Sequence, residues 1–359
     1  MIPVPRFLSA EADSLSCSLC PRGCRIQNGK FGFCGVRGNK NGTGLIPRYG
    51  YITALAMDPI EKKPLYHFRP GSSILSLGFS GCNLCCPFCQ NWHISQNPDA
   101  PGRNMSPAEI ITLAMREMRE KPAIAYTYSE PLVHAEFLLD CMALARAQGI
   151  ANVLVTNGCI NTGPAREILG LTDAANIDLK CFSAQAYEKI LGGNLETVLD
   201  FIKLACSMDV HVEITTLLVP QLNDSEEELD SIAQFIAGLE CSGQSENSAY
   251  GLRAQLPKEP RKAVRPWHLS AYHPDFRWNA PPTNPETLKS AAQRAGKILA
   301  HVYTGNIAAQ SNATFCAECG GLLIKRRGYT VDIAGLTLPE PGEKYYKCGN
   351  CGGQTDIYV

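Results

Sequence analysis

From about residue 74 to residue 304, short apolar runs alternate with segments whose apolar residues recur every three or four positions. The runs predict strands at Ile74–Phe79, Ala123–Tyr128, Asn152–Thr156, Ala175–Leu179, Val210–Val219 and Trp267–Tyr272. Helices are predicted between them. Ser106-Pro107-Ala108-Glu109 is a capping box with proline at the first helical position, and it opens a helix to about Arg119. Leu132–Gln148 carries apolar Val133, Phe137, Leu138, Cys141, Leu144 and Ala145 and is stopped by Gly149. Pro164–Leu169, Ala184–Leu191, Leu195–Met208, Asp224–Gly238 and Glu286–Leu299 complete the helical set.

Strands separated by helices, with right-handed crossovers, predict a parallel sheet in an α/β fold. The expected form is a partial (β/α)6 barrel of the TIM type, with its active site at the C-terminal ends of the strands. An open doubly wound sheet is the alternative. The unusual residues favour the barrel. A cysteine loop follows the first strand, Thr127-Tyr128-Ser129-Glu130-Pro131 ends the second, and Thr156-Asn157-Gly158 ends the third. Asp178-Leu179-Lys180, Val219-Pro220 and Tyr272-His273-Pro274 end the other three, so all six gather on one rim. The chain is expected to divide into an N-terminal cysteine-rich metal-binding segment (1–73), the barrel (74–304) and a C-terminal zinc-ribbon-like module (305–359).

A chain of 359 residues, 45% hydrophobic, can bury a full core. A net charge of −1 leaves no electrostatic footprint for nucleic acid or an anionic membrane. The N-terminal Met-Ile-Pro-Val-Pro-Arg lacks the pattern of a secretory signal, and no apolar run reaches transmembrane length, so a cytoplasmic location is expected. Seventeen cysteines in such a chain point to metal ligands rather than disulfides. They fall into three groups: Cys17, Cys20, Cys24 and Cys34; Cys82, Cys86 and Cys89; and Cys316, Cys319, Cys348 and Cys351. Cys85, Cys141, Cys159, Cys181, Cys206 and Cys241 read by default as small buried hydrophobes.

The middle group stands at the spacing Cys-x3-Cys-x2-Cys within Phe79–Trp92. Three thiolates on one loop can hold three irons of a [4Fe–4S] cube and leave the fourth open, the arrangement that binds and reduces S-adenosylmethionine (SAM). The spacing, with Phe88 just before the third cysteine, resembles the radical SAM superfamily. More narrowly, Tyr128-Ser129-Glu130-Pro131 looks like the Gly-Gly-Glu-Pro element of glycyl-radical-enzyme activases. That resemblance implies Glu130 for the amino group of the methionine moiety, and Asp178 and Lys180 for the cofactor's carboxylate and ribose. It further implies Thr156 and Asn157 as the third-strand element, Val219 facing adenine and His273 as a late-strand histidine. A zwitterionic sulfonium ligand needs such an acid, cation and polar groups in any case.

Asp58-Pro-Ile-Glu-Lys-Lys-Pro-Leu-Tyr-His67, Trp267–Pro274, Pro281-Pro-Thr283 and Val302–Asn306, together with Cys17–Cys24, resemble the radical enzyme of the AmmeMemoRadiSam system. That resemblance implies Memo-like and AMMECR-like partner proteins and a reductant such as flavodoxin or ferredoxin, and it names no substrate. The chain departs from the family at Cys85, which offers the alternative ligand pair Cys82/Cys85, and at Cys159 and Cys181, which the strand register places beside the mouth as candidate catalytic thiols. Gly238–Arg265 reads as a polar, basic surface insertion.

The flanking groups suggest further metals. Cys316-x2-Cys319 and Cys348-x2-Cys351 have zinc-ribbon spacing, with a rubredoxin-like iron as the alternative. Cys17-x2-Cys20-x3-Cys24-x9-Cys34 suits zinc or a second iron–sulfur cluster. The expected function is a radical SAM enzyme that cleaves SAM to a 5′-deoxyadenosyl radical and abstracts hydrogen from an unidentified substrate. The alternatives are an activase that modifies a partner enzyme and a non-catalytic zinc scaffold.

Overall fold

In the computed structural model, residues 5–97, 99–239, 262–307, 311–340 and 342–359 are described. The expected insertion lies outside them from 240 to 261. The centre is an eight-stranded sheet: β1 (Ala54–Pro59), β2 (Ser73–Gly78), β3 (Ala123–Thr127), β4 (Ala151–Thr156), β5 (Ala174–Asp178), β6 (His211–Leu218), β7 (Trp267–Ala271) and β8 (Val302–Gly305). The strands lie side by side in chain order. β2 to β8 pair in parallel, and β1 is antiparallel to β2. A doubly wound sheet needs a reversal of strand order; the sequential order here has none. Among the described residues, the edge strands β1 and β8 do not pair with each other.

The structure thus adds two strands to the six expected, a correction to the (β/α)6 count. Both escaped the hydrophobic pattern. Val302–Gly305 is only four residues long, and Ala54–Pro59 mixes exposed and buried positions as an edge strand does. The helices fall close to expectation: α1 (Pro107–Glu117), α2 (Ala135–Ala147), α3 (Thr162–Leu169), α4 (Leu195–Ser207), α5 (Glu226–Ala237) and α6 (Pro285–Ala295). The Ser106 capping box on α1 forms as predicted. Pro131–His134, expected at the start of α2, is instead a 3-10 turn, and Tyr187–Leu191 is a π turn.

Register assigns the faces of the sheet, because hydrogen-bonded neighbours share a face and successive residues alternate. Leu75, Leu77, Ile124, Tyr126, Leu154, Ile177, Ile214, Trp267 and Leu269 lie on one face, within the main apolar core that the helices cover. The other face carries Asp58, Ser76, Ala125, Val153, Asn176, Asp178, Glu213, Thr215, Leu217, His268, Ser270 and Tyr303. Its polar residues concentrate on β5 to β8, while Ile74, Ala123, Ala125, Ala151, Val153 and Ala174 make a second, apolar cluster on the same face with Ile60, Leu65 and Phe68.

At the N-terminal ends of the strands this face is closed by a buried network. Glu213 accepts from the Tyr66 and His67 backbone at 3.0 and 2.7 Å and pairs with His211 at 3.0 Å and His268 at 2.6 Å. His67 bridges Asp356 at 2.7 Å and the Tyr303 hydroxyl at 2.6 Å, tying in the C-terminal strand Gln354–Tyr358. Small antiparallel sheets flank the main one. Leu8–Glu11, Ser14–Cys17 and Arg25–Gln27 form one, and Ser311–Phe315, Leu322–Arg327 and Thr330–Asp332 another. Among the described residues no helix is long and apolar enough to cross a membrane.

Candidate active site

The chain leaves β2 through Gly81, whose φ of +90° and closeness to the Cys34 carbonyl, 2.3 Å from where a Cβ would stand, admit only glycine. The loop beyond it turns Cys82, Cys86 and Cys89 into a cleft at the C-terminal ends of the strands. Cys82 Sγ accepts from the Leu84 N–H at 3.3 Å, and Cys89 Sγ lies 3.2 Å from Ser95 Oγ. Cys85 faces elsewhere. Its Sγ is 3.4 Å from the Leu191 carbonyl, its N–H donates to that same oxygen at 2.8 Å, and it is not among the cleft residues. Burial pushes the Cys86 thiol up to about 12 and Cys82 well above its ordinary value. These sulfurs stay protonated until a metal displaces the protons.

Glu130 forms the opposite wall. Tyr128 precedes it at φ 67°, a left-handed conformation that glycine adopts freely and tyrosine at a cost. The turn sends the Tyr128 ring along Gly78, where its hydroxyl donates to Asp58 Oδ2 at 2.5 Å, and leaves its carbonyl to accept from Asn91 Nδ2 at 2.7 Å. Asp58 also holds Lys62 at 2.8 Å and Lys63 at 2.7 Å. Glu130, 1% exposed, accepts from Thr156 Oγ1 at 2.6 Å, Leu132 N at 3.0 Å and Asn157 N at 2.8 Å. Burial outweighs these bonds and raises its carboxyl from 4.5 to about 7. Asn157 in turn donates to Asn83 Oδ1 at 3.0 Å, on the cysteine loop.

Lys180 pairs with Asp178 at 2.7 Å on the far side of the cleft. Burial pulls the ammonium down, but the Asp178 carboxylate outweighs it and holds Lys180 above its ordinary value. Two hydroxyls on the same lining, Ser129 Oγ and Thr215 Oγ1, are buried without a partner among the described residues. Acid, cation, free hydroxyls and three thiols on one cleft fit a cluster with an amino-acid sulfonium ligand: each charged end has a counter-charge and each orphaned hydroxyl awaits a polar group.

Six of the nine residues expected to meet the cofactor line this cleft: Tyr128, Ser129, Glu130, Asn157, Asp178 and Lys180. Thr156 stands behind, bonded to Glu130. Val219 is fully buried past the end of β6, its N–H on Asn223 Oδ1 at 2.7 Å, and His273 is exposed, with Nε2 3.1 Å from the Asn306 carbonyl. Neither lines the cleft; Thr215, Leu217, Ser270 and Asn306 do, together with Gln90, Asn91 and Gln96. Counting inward by twos from Val219 would have found Leu217 and Thr215. Cys159 and Cys181 are also buried off the lining, where burial pushes both up to about 11.

Two sets of candidate ligands gather to within 4.8 Å among the described residues: Cys316, Cys319, Cys348 and Cys351, and His67, His301 and Asp356. The latter belongs to the hydrogen-bonded network at the base of the sheet. In the former, Cys316 and Cys351 lie 3.9 Å apart and Cys319 and Cys348 3.7 Å apart.

The sequence profile of the Radical SAM superfamily matches residues 77–236. The Methanocaldococcus jannaschii protein MJ0808 is 39% identical over 97% of both chains. The pyruvate formate-lyase-activating enzyme of Clostridium pasteurianum is 30% identical over 45% of this chain and 68% of its own length. A solved domain of such an enzyme from Bacteroides vulgatus, 21% identical, covers 51% of this chain and 98% of that one at a TM-score of 0.38. The family implies a [4Fe–4S] cluster and SAM. The chain belongs to the Radical SAM superfamily, as a radical SAM enzyme with homology to the pyruvate formate-lyase-activating enzymes.

Proposed function

We propose that this enzyme binds SAM in the thiol-lined cleft, uses it to abstract hydrogen from a substrate at the mouth, and acts as the radical component of an AmmeMemoRadiSam system with Memo-like and AMMECR-like partners. When bound, the [4Fe–4S]–SAM pair supplies one-electron cleavage of the S–C5′ bond, giving methionine and a 5′-deoxyadenosyl radical. The residues bind and orient. Glu130 has one lone-pair direction left on Oε2 for the ammonium, Lys180 meets the carboxylate, and Asp178, Thr215 and Ser270 take the ribose hydroxyls. Leu217 replaces Val219 as the adenine-facing residue, and His273 stands at the outer rim. Cys82, Cys86 and Cys89 hold the irons, and the buried walls exclude water from the reacting atoms.

The observation that carries this reading is the convergence of Glu130, the Asp178–Lys180 pair and the orphaned Ser129 and Thr215 hydroxyls on the cleft of the three thiols. We also propose that residues 74–304 form a partial barrel between the cysteine-bearing additions 1–73 and 305–359. Sulfurs 3.7 and 3.9 Å apart support zinc in the C-terminal set, because thiolates at about 2.3 Å on a tetrahedral ion stand about 3.8 Å from one another. The test is anaerobic reconstitution with iron and sulfide, reduction, and chromatography for methionine and 5′-deoxyadenosine. Formation of both is expected; formation of neither by iron-loaded protein refutes the proposal. Deuterium transfer from candidate substrates into 5′-deoxyadenosine then identifies the substrate. Labelling from a partner protein's glycine would favour the activase reading.

A further inference from the structure

Cys17, Cys20, Cys24 and Cys34 have no part in the cleft. Two turns bring them together: Cys17 N donates to Cys24 O at 2.9 Å and Gly23 N to Cys20 O at 3.2 Å, while Gly35 N donates to Gly32 O at 2.9 Å and returns Cys34 toward the others. A Cβ on Gly32 would stand 3.6 Å from Cys24 Sγ. Cys17 lies within electrostatic reach of Cys20 and Cys34, Cys20 of Cys24 and Cys34, and Cys34 of Cys24.

Backbone N–H groups point at the sulfurs two residues back: Leu19 at Cys17, Arg22 at Cys20 and Val36 at Cys34. The same device serves Cys82, from Leu84, and Cys319, from Gly321. Burial is the larger influence and keeps the Cys17, Cys20 and Cys34 thiols above their ordinary value; the N–H groups oppose it and orient the sulfurs as metal ligands. Arg37 supplies an independent sign of a ligand. It is 1% exposed, its two terminal nitrogens bind Glu136 at 2.7 and 2.6 Å, and its Nε–H has no partner among the described residues. This buried cation lies within electrostatic reach of Cys17 and Cys34. A cation with a spare donor near two of the four thiols fits a negatively charged metal–thiolate centre.

Spacing separates one ion from a cluster. Thiolates on a single ion crowd together, as the C-terminal four do; thiolates on a cube each hold their own iron and stand farther apart. Among the described residues no three of the N-terminal sulfurs gather to within 4.8 Å, and neither do Cys82, Cys86 and Cys89. Neither set is gathered as tightly as the C-terminal four. The N-terminal set also packs on the Cys82 loop: the Cys34 carbonyl abuts Gly81, Arg22 Nε donates to Asn83 O at 2.7 Å, and Cys20 lies within electrostatic reach of Cys159, whose carbonyl accepts from Asn83 Nδ2 at 2.5 Å.

We infer that Cys17, Cys20, Cys24 and Cys34 hold a second four-iron cluster, ligated at all four irons, which packs on the Cys82 loop and passes it single electrons. The inference rests on the proposed reading of Cys82, Cys86 and Cys89. In each transfer the second cluster is oxidised by one electron, the first is reduced from [4Fe–4S]²⁺ to [4Fe–4S]⁺, and a low-potential one-electron carrier of the flavin or iron–sulfur class refills the second. No bond or proton moves.

The test is iron, sulfide and zinc analysis with electron paramagnetic resonance on the anaerobically reconstituted full chain. About eight irons per chain are expected, with two reduced signals, of which SAM changes one. The Cys20→Ala/Cys34→Ala protein should keep about half the iron and the SAM-responsive signal. Its ratio of carrier-driven to dithionite-driven 5′-deoxyadenosine formation should fall at least tenfold. Zinc in place of the additional iron, or a single signal in wild-type protein, overturns the inference even if the variant fails to fold. Full iron retention in Cys82→Ala/Cys86→Ala/Cys89→Ala overturns the proposed cleft instead.

Discussion

Glu130→Gln keeps the size of the side chain and removes its charge. Thr156 Oγ1 and Leu132 N both reach Oε1, at 2.6 and 3.0 Å, so the glutamine oxygen placed there keeps two of the three bonds. The glutamine NH₂ then faces the Asn157 N–H, which donates to Oε2 at 2.8 Å in the wild type. A buried donor left facing a donor costs about 1–3 kcal/mol of stability. Loss of the carboxylate–ammonium bond costs SAM a further about 1.5–3 kcal/mol, a Kd higher by roughly 10- to 150-fold. Melting of SAM-free protein reads the first term and calorimetric SAM titration the second.

The pH dependence distinguishes this role from packing. Because burial raises Glu130 from 4.5 to about 7, the fold prefers it protonated. Its contribution, worth about 3 kcal/mol, is fully present below pH 4.5 and is lost as the pH rises through 7. SAM binding, by contrast, requires the carboxylate and must expel that proton below pH 7. Wild-type affinity should therefore fall up to about tenfold per pH unit below 7, while the Glu130→Gln affinity stays flat. Unchanged affinity in the variant, or the same slope in both proteins, refutes the placement of Glu130 on the ammonium.

Cys86→Ala should abolish 5′-deoxyadenosine formation while Cys85→Ala, whose sulfur faces Leu191, retains it; the reverse outcome would reassign the iron ligands. Cys348→Ser should release one metal per chain, measured by mass spectrometry of the metal content, and leave SAM cleavage in place; iron there that cycles during turnover contradicts a structural site. Asp58→Asn leaves Lys63, 2% exposed, without its counter-charge, and should lower stability by about 3–5 kcal/mol in denaturant unfolding. An unchanged midpoint would show that the pair carries no such weight.

What the sequence revealed depended on how local each signal was. The cysteine loop was legible because its three cleft cysteines sit within eight residues, and Asp178 and Lys180 because a strand end bearing both charges is already the pair they form at 2.7 Å. Ser106-Pro107-Ala108-Glu109 gave a helix start for the same reason. The polar face of the sheet was written as plainly, in Asn176, Glu213, Thr215, His268 and Ser270, but single polar residues inside apolar strands acquire meaning only once register aligns them. Glu213 binds His67 across 146 residues and His67 binds Asp356 across 289, so no window along the chain contains either contact. Cys159 and Cys181 were placed near the mouth by strand end alone, and the turns that follow the strands carry both sulfurs away from it.

The segment from Asp58 to His67 explains why that polar face is built as it is. A barrel floor is ordinarily filled by layers of branched apolar side chains. Here Asp58 binds Lys62, Lys63 and the Tyr128 hydroxyl, and eight residues later the Tyr66 and His67 backbone binds Glu213. One short stretch therefore fixes both the residue that turns the chain into Glu130 and the Glu213 carboxylate on the interior strand β6. An apolar filling of equal volume would pack as densely, yet it would give Tyr128 nothing to hold it at φ 67°, a conformation tyrosine leaves when free. The hydroxyl–carboxylate bond offsets that strain, and the strain is what presents the Tyr128 carbonyl to Asn91 on the cysteine loop and Glu130 to the cleft. In this protein the buried charge of Asp58 holds the turn that leads to Glu130, and for that reason the ten-residue motif from Asp58 to His67 supports the cleft although it does not line it.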